Sequence, residues 1–237
     1  MKILALDTCF GTCSVTLLID GSVHITKLEE RYSMQAERLL LMIEELLSEA
    51  NLIYSDLDYI SVTIGPGGFT GVRIGLAAAY GICIVSKIPL IYFSTLEVVA
   101  FESEYNTKKF PLKVIALNAS FDKFYCQSFI SSSIKNTIDL EDQFKSIMEP
   151  CIVDIDFLNE VAQRYEVFGN YSLHNRSLYN SEPEKYGLKE VIMPTANGLA
   201  LLSYEKIIND NVGSNMIDFA NRGHIKFIEP IYLRSFI

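Results

Sequence analysis

The chain has 237 residues, 49% of them hydrophobic and 21% charged, which is long enough for one large or two small globular domains. Its formal net charge of −9 excludes strong stand-alone binding to nucleic acid, because that affinity comes largely from Lys and Arg on phosphates. An acidic chain is better suited to a partner within a complex, including a basic one.

The cysteines and the N-terminus predict a cytoplasmic protein that does not engage a membrane. Five cysteines with no CxxC pair indicate neither a zinc site nor a disulfide framework, so we expect reduced thiols. The N-terminal apolar run reaches Asp7 too early for a signal peptide. No run approaches the roughly 18 apolar residues that a membrane span requires.

The first hundred residues predict a β-meander followed by alternating helices and strands. Asp20-Gly21 is a hairpin signal between the second and third strands. The helix that follows carries a regular apolar stripe with Glu on much of its remaining surface. The predicted elements are strands 3–6, 13–19 and 23–28, helix 35–50, strand 59–64, helix 72–85, strand 90–92 and a helix from residue 95.

Residues 65–75 read Gly-Pro-Gly-Gly-Phe-Thr-Gly-Val-Arg-Ile-Gly and join a predicted buried strand to a predicted helix. Such a turn leaves backbone N–H groups free at a helix N-terminus, where they can bind an anion. It also allows close approach of another backbone, because glycine has no side chain. The motif by itself leaves both interpretations open.

The helix after this turn has no polar face, so the sequence predicts that it is buried on all sides. Gly71, Gly75 and Ala79 repeat every four residues and would let a neighbouring helix come close. The cover is either the chain's own helices or another polypeptide with an apolar interface. Arg73 is the one charge here, and we expect it to reach a carboxylate or a phosphate.

A polar segment at residues 102–109 predicts a domain boundary. The predicted lobes are 1–103 and 104–237, and the C-terminal helix could return to the first lobe. The second lobe is predicted to contain strands 112–117 and 124–130, helix 157–165, strand 166–168 and helix 197–209. The pattern is that of an α/β protein with mixed sheets.

Several stretches resemble the TsaB (YeaZ) family of tRNA threonylcarbamoyladenosine biosynthesis proteins. They are Ile3-Leu4-Ala5-Leu6-Asp7-Thr8, Glu37-Arg38-Leu39-Leu40, Gly65 through Ala78, and the closing Ile231-Tyr232-Leu233-Arg234. The match is dense to about residue 100 and thin from about 103 to 225. The long continuation of the glycine turn makes this motif far more specific than a lone GxG.

The resemblance implies an actin-like, Hsp70-like ATPase (ASKHA) fold of two α/β lobes, the second reduced. It implies a non-catalytic scaffold of the complex that modifies the adenosine beside the tRNA anticodon. The partners would be the catalytic paralogue TsaD and the ATPase TsaE, with tRNA bound only through the complex. The sequence leaves open whether the chain in isolation is a monomer or a homodimer.

Family members pair through helices that correspond here to 35–50 and 71–85. The implied interface residues are Leu39, Ile43, Leu47, Gly71, Arg73, Gly75, Ala78, Ala79 and Ile82.

The chain departs from the family pattern in ways that bear on catalysis. It has no His pair after strand 90–92, where the catalytic paralogue holds a metal, and the three histidines are expected to be surface or loop residues. Gly68, Gln35 and Asn118 stand where Ser, His and Asp are usual. We therefore expect no metal site, no catalytic residue and no firmly bound cofactor, with ATP or ADP at most at the interface of the complex.

The alternative is an actin-like ATPase or small-molecule kinase. Asp7, Thr8, Gly11 and Ser14 resemble the first phosphate loop of that fold, in a degenerate form. The missing acid at Asn118 weakens this alternative. A peptidase is disfavoured because no nucleophile is paired with a base.

Overall fold

The computed structural model describes residues 1–31, 33–106, 112–130, 149–170, 188–191, 193–209, 212–219 and 227–233. The chain divides into two compact units, one formed by Met1–Val98 with Pro194–Tyr232, the other by Val99–Met193 with Leu233–Ile237. The second unit begins at Val99 rather than at the predicted residue 104, and the C-terminal helix belongs to the first unit, as the sequence analysis allowed. Residues 194–232 return to the first unit because their helix covers its sheet.

The described strands of the first unit form a six-stranded sheet in the order β11-β5-β4-β1-β2-β3. Strand β1 pairs antiparallel with β2 and parallel with β4, and the predicted hairpin after β2 has positive φ at both Asp20 and Gly21. The strands are β1 Lys2–Asp7, β2 Cys13–Ile19, β3 Ser22–Glu29, β4 Tyr59–Thr63, β5 Leu90–Phe93 and β11 Met216–Ile217.

Helices cover both faces of this sheet. They are α1 Gln35–Glu49, α2 Phe69–Ser86 and α5 Ala196–Ile208. Helix α3, Thr95–Asn106, follows β5, and its residues from Val99 belong to the second unit. The space beside Gly75 in α2 is bounded by Val62, while the Ser61 hydroxyl hydrogen-bonds Ser203 of α5 at 2.7 Å. Because successive strand residues point to opposite faces, α2 and α5 lie on opposite sides of β4.

The second unit has a sheet whose described strands follow the order β10-β9-β6-β7-β8, with β6 pairing antiparallel with β7 and parallel with β9. Helix α4 packs on β8 and β9 and buries Leu158 and Val161. The strands are β6 Leu112–Ser120, β7 Lys123–Ile130, β8 Cys151–Asp154, β9 Glu166–Gly169 and β10 Leu188–Val191, and α4 spans Ile155–Ala162.

The predicted α/β fold with two lobes and mixed sheets is confirmed, and the predicted helices and longer strands are present within a few residues. The sequence missed β8, β10 and β11, because each has only two to four residues and no turn signal of its own. Helix α2 is long and apolar enough to cross a membrane by composition alone, contrary to the prediction, but core helices meet the same criterion.

Candidate functional site

The glycine turn before α2 packs directly on the backbone that follows β1. The Gly68 N–H donates to the Cys9 carbonyl at 2.7 Å, and the Thr8 hydroxyl donates to the Gly71 carbonyl at 2.7 Å. A Cβ on Gly71 would lie 2.0 Å from the Thr8 carbonyl oxygen, and one on Gly67 would lie 2.6 Å from that of Cys9. The glycines therefore serve close backbone approach, one of the two interpretations that the sequence left open.

The four residues of the degenerate phosphate loop lie together at the end of β1 and the start of β2, but their polar groups are engaged inside the chain. Ser14 Oγ accepts the backbone N–H of Ala196 at 3.0 Å, at the first turn of α5. The Gly11 carbonyl accepts the Ser33 N–H at 3.1 Å, and the Thr8 hydroxyl is held by Gly71. These contacts give the predicted cofactor-binding residues structural partners within the first unit.

Asp7 is buried at the tip of β1 and accepts a hydrogen bond from the Thr63 hydroxyl. The Thr63 hydroxyl also lies 3.1 Å from Cys9 Sγ. Burial raises the pKa of Asp7 to about 6, although the hydrogen bonds partly offset this effect.

The segment after β5 begins α3 with a reciprocal cap. Glu97 accepts the Ser94 N–H at 2.7 Å, and the Ser94 hydroxyl accepts the Glu97 N–H at 3.0 Å. In the described residues, no group of three His, Cys, Asp or Glu could hold a metal ion. His24 is exposed, and His174 and His224 lie outside the described residues.

Most of the predicted interface residues face the interior. Leu39, Ile43 and Leu47 of α1 are at most 3% exposed and belong to the core cluster. In α2, Gly71 and Gly75 abut Thr8, and Ala79 is fully buried. These assignments to a docking surface are therefore wrong, because the most regular apolar stripe of each helix is the one that covers the chain's own sheet.

A different set of apolar side chains is exposed on the same two helices, which contact each other. Of the predicted interface residues, Arg73 is exposed and Ala78 and Ile82 are partly exposed. The exposed side chains that the sequence analysis did not assign are between 48% and 82% accessible, or small. We call the exposed set the α1–α2 face: Leu40, Leu41, Phe69, Arg73, Ala77, Ile84 and Val85.

Within the described part of the chain, Arg73 contacts two aromatic residues and forms none of the ion pairs, so the predicted carboxylate or phosphate is not supplied by these residues. Its guanidinium carbon lies 3.6 Å from the ring centre of Phe69, and its Nε donates to the Tyr232 hydroxyl at 2.9 Å. Tyr232 belongs to the C-terminal segment 227–233. This segment is held in place by a hydrogen bond in which the Ile231 N–H donates to the Ile64 carbonyl at 2.9 Å.

The sequence offered weak signals for these features. Leu40 and Leu41 lie outside the i, i+4 stripe of α1. Helix α2 has no polar face, and because the sheet can cover only one of its sides, its other side also needs a cover. No pattern indicated that Tyr232 would lie beside Arg73, because 159 residues separate them.

The chain is similar to proteins of known family over much of its length. A family model described as TsaD, tRNA N6-adenosine threonylcarbamoyltransferase, matches residues 32–149. The TsaB proteins of Haemophilus influenzae and of Buchnera aphidicola from Acyrthosiphon pisum are 30% and 29% identical over 149 and 170 residues. These matches cover 62% and 72% of this chain, and 62% and 75% of the relatives.

Two solved structures from Pseudomonas aeruginosa have the same fold. One is described as an uncharacterized protein with similarity to peptidase YEAZ, with a TM-score of 0.68, and the other as YeaZ, with 0.64. Each is 22% identical and covers 98% of this chain, with 99% of the other chain aligned. The expected fold of two α/β lobes with mixed sheets is confirmed. The repeated likeness to TsaB proteins, with a TsaD model over its centre, shows that this chain belongs to the TsaB (YeaZ) family, a relative of TsaD.

Proposed function

We propose that this protein is a non-catalytic subunit for tRNA threonylcarbamoyladenosine modification that binds and activates a TsaD protein through the α1–α2 face. The observation that carries the proposal is the exposed side of α2. It presents Phe69, Ala77, Ile84 and Val85 to solvent, with Arg73 as its only charged residue. A contiguous apolar surface of this kind is typical of a protein–protein interface.

The family membership supports TsaD as the occupant, because the relatives' names tie the family to this modification and the TsaD model matches the part of the chain that contains both helices. TsaE and tRNA would join through the assembled complex, in the cytoplasm. A nucleotide at the complex interface, and a homodimer through the same face when TsaD is absent, are parts of the proposal.

The engaged phosphate-loop residues support a scaffold over a kinase or ATPase. Ser14 already accepts a helix N–H, and Asp7 is enclosed with Thr63 and Cys9. A phosphate placed there would have to displace these contacts. The proposal therefore assigns catalysis to TsaD.

Ile84→Glu tests the proposal, because it puts a charge among the exposed apolar side chains at the C-terminal end of α2. Ile208→Glu in α5 is the matched control, since Ile84 is 48% exposed and Ile208 58% exposed. We expect Ile84→Glu to raise the dissociation constant for TsaD, measured by calorimetry, by about 10-fold or more, which is the scale of an interface hot spot. Ile208→Glu should bind as the parent does.

The same variants report on function in a reconstituted modification assay with TsaD, TsaE and tRNA. Modification should fall with Ile84→Glu and persist with Ile208→Glu. Parent protein that fails to bind TsaD, or equal binding by both variants, would contradict the proposed role of this face. Nucleotide hydrolysis by the purified chain that survives repurification and is lost in Asp7→Asn would instead favour the ATPase alternative.

A further inference from the structure

Most of the exposed residues of α2 form one stripe along the helix, since those at 69, 73, 77, 81 and 84 recur every three or four positions; the other two, Thr70 and Val85, flank its ends. Arg73 is the only charged side chain in that stripe, on a chain whose formal net charge is −9. It lies in the N-terminal part of the helix, one turn after Phe69, where the helix dipole does not favour a cation. The helix gains nothing from a cation at that position, which points to a role outside the helix.

The guanidinium of Arg73 is fixed in orientation before any partner binds. It stacks on Phe69 at 3.6 Å, and Nε donates to the Tyr232 hydroxyl at 2.9 Å. The two rings lie 5.0 Å apart, centre to centre. An arginine held in this way loses less side-chain freedom on binding than a mobile one does.

The polar donors of Arg73 are only partly used. Within the residues that the structure describes, Tyr232 is its hydrogen-bond acceptor and none of the ion pairs involves Arg73. Its two terminal nitrogens are thus available for a planar, two-oxygen acceptor. The surrounding exposed side chains are apolar, which suits a protein surface with an acidic residue better than a nucleic-acid backbone.

We propose that Arg73 is the specificity-determining residue of the α1–α2 face, pairing with an Asp or Glu carboxylate of the TsaD partner, and that Tyr232 is the residue that positions it. This inference rests on the proposed function. It assigns the C-terminal segment a part in recognition, because Ile231 and Ile228 anchor Tyr232 through hydrogen bonds to Ile64 and to the Tyr80 hydroxyl.

The full chain and its TsaD partner are compared by titration calorimetry at two salt concentrations. We expect Arg73→Gln to weaken the affinity by about 10–100-fold, the scale of a hydrogen-bonded charge pair, and to reduce the salt dependence of binding. Arg73→Lys keeps the charge but loses the planar fork and the stacking on Phe69, so we expect a loss of at least about fivefold.

Lys123→Gln is the control for net charge, because Lys123 is an exposed cation at the start of β7 in the second unit. It should bind as the parent does. In the parent background, Tyr232→Phe should weaken the affinity for TsaD by about threefold to tenfold, the scale of one neutral hydrogen bond. In the Arg73→Gln background, Tyr232→Phe should cause no further loss of affinity.

Each outcome is decisive. Equal affinity of the parent and Arg73→Gln, with an intact complex, overturns the inference and leaves the proposed function standing. A loss in Lys123→Gln as large as that in Arg73→Gln shows a long-range charge effect and also overturns it. Additive losses for Arg73→Gln and Tyr232→Phe overturn the positioning role of Tyr232. No complex with the parent overturns the proposed function itself.

Discussion

Gly71→Ala should destabilise the first unit although alanine is the better helix former. The added Cβ would lie 2.0 Å from the Thr8 carbonyl oxygen and 3.2 Å from the carbonyl carbon, both backbone atoms at the end of the central strand. Neither atom can rotate away, so α2 must shift and the hydrogen bond from the Thr8 hydroxyl to the Gly71 carbonyl is strained. Overpacking costs about 1–3 kcal/mol, and a lost buried hydrogen bond adds about 1 kcal/mol.

The gain in helix propensity offsets about 0.5–1 kcal/mol of this cost, so we expect a net loss of roughly 1–3.5 kcal/mol in the free energy of unfolding. Gly81→Ala is the control within the same helix, because no atom lies within 4 Å of its would-be Cβ. That variant should gain about 0.5–1 kcal/mol. Urea unfolding followed by circular dichroism compares the two. A Gly71→Ala protein as stable as Gly81→Ala would refute the close packing of the turn on Thr8.

Two further predictions concern buried groups of the first unit. Ala79→Arg should melt far below the parent, since it buries a charge without a counterpart at a cost of about 3–5 kcal/mol, whereas Val85→Arg, at a site 82% exposed, should melt as the parent does and bind TsaD more weakly. Equal melting temperatures would show that the buried side of α2 is misassigned. The pKa of Asp7 rises from 3.8 to about 6 on folding. The free energy of unfolding should therefore decrease, by up to about 3 kcal/mol, as the pH is raised across that window. Asp7→Asn should match the parent below this window and exceed its stability above it in urea titrations; a difference that does not change with pH would contradict the raised pKa.

Local patterns predicted the elements, whereas long-range pairing decided the site. The stripe of α1 and the Asp20-Gly21 turn are local signals, and both are realised in the structure. The side of α2 that faces Thr8 depends on where β1 ends in space, and spacing along the helix does not determine this. A four-residue repeat of small side chains is equally compatible with contact to a strand end or to another helix, so the sequence assigned Gly71, Gly75 and Ala79 to the wrong neighbour.

Helix α2 has no polar face because its inner and outer sides are apolar for two different reasons. Its inner side must be small where Thr8 crosses close to Gly71 and Gly75, and apolar at Leu76 and Cys83, where it meets the sheet. Its outer side is apolar although it is exposed, as at Ile84 and Val85. Core packing explains only the inner side, because an exposed face of an isolated subunit could carry charges without loss of stability. The proposed association with TsaD accounts for the apolar outer side, and Arg73, stacked on Phe69 and hydrogen-bonded to Tyr232, supplies the charged group that would make this association selective.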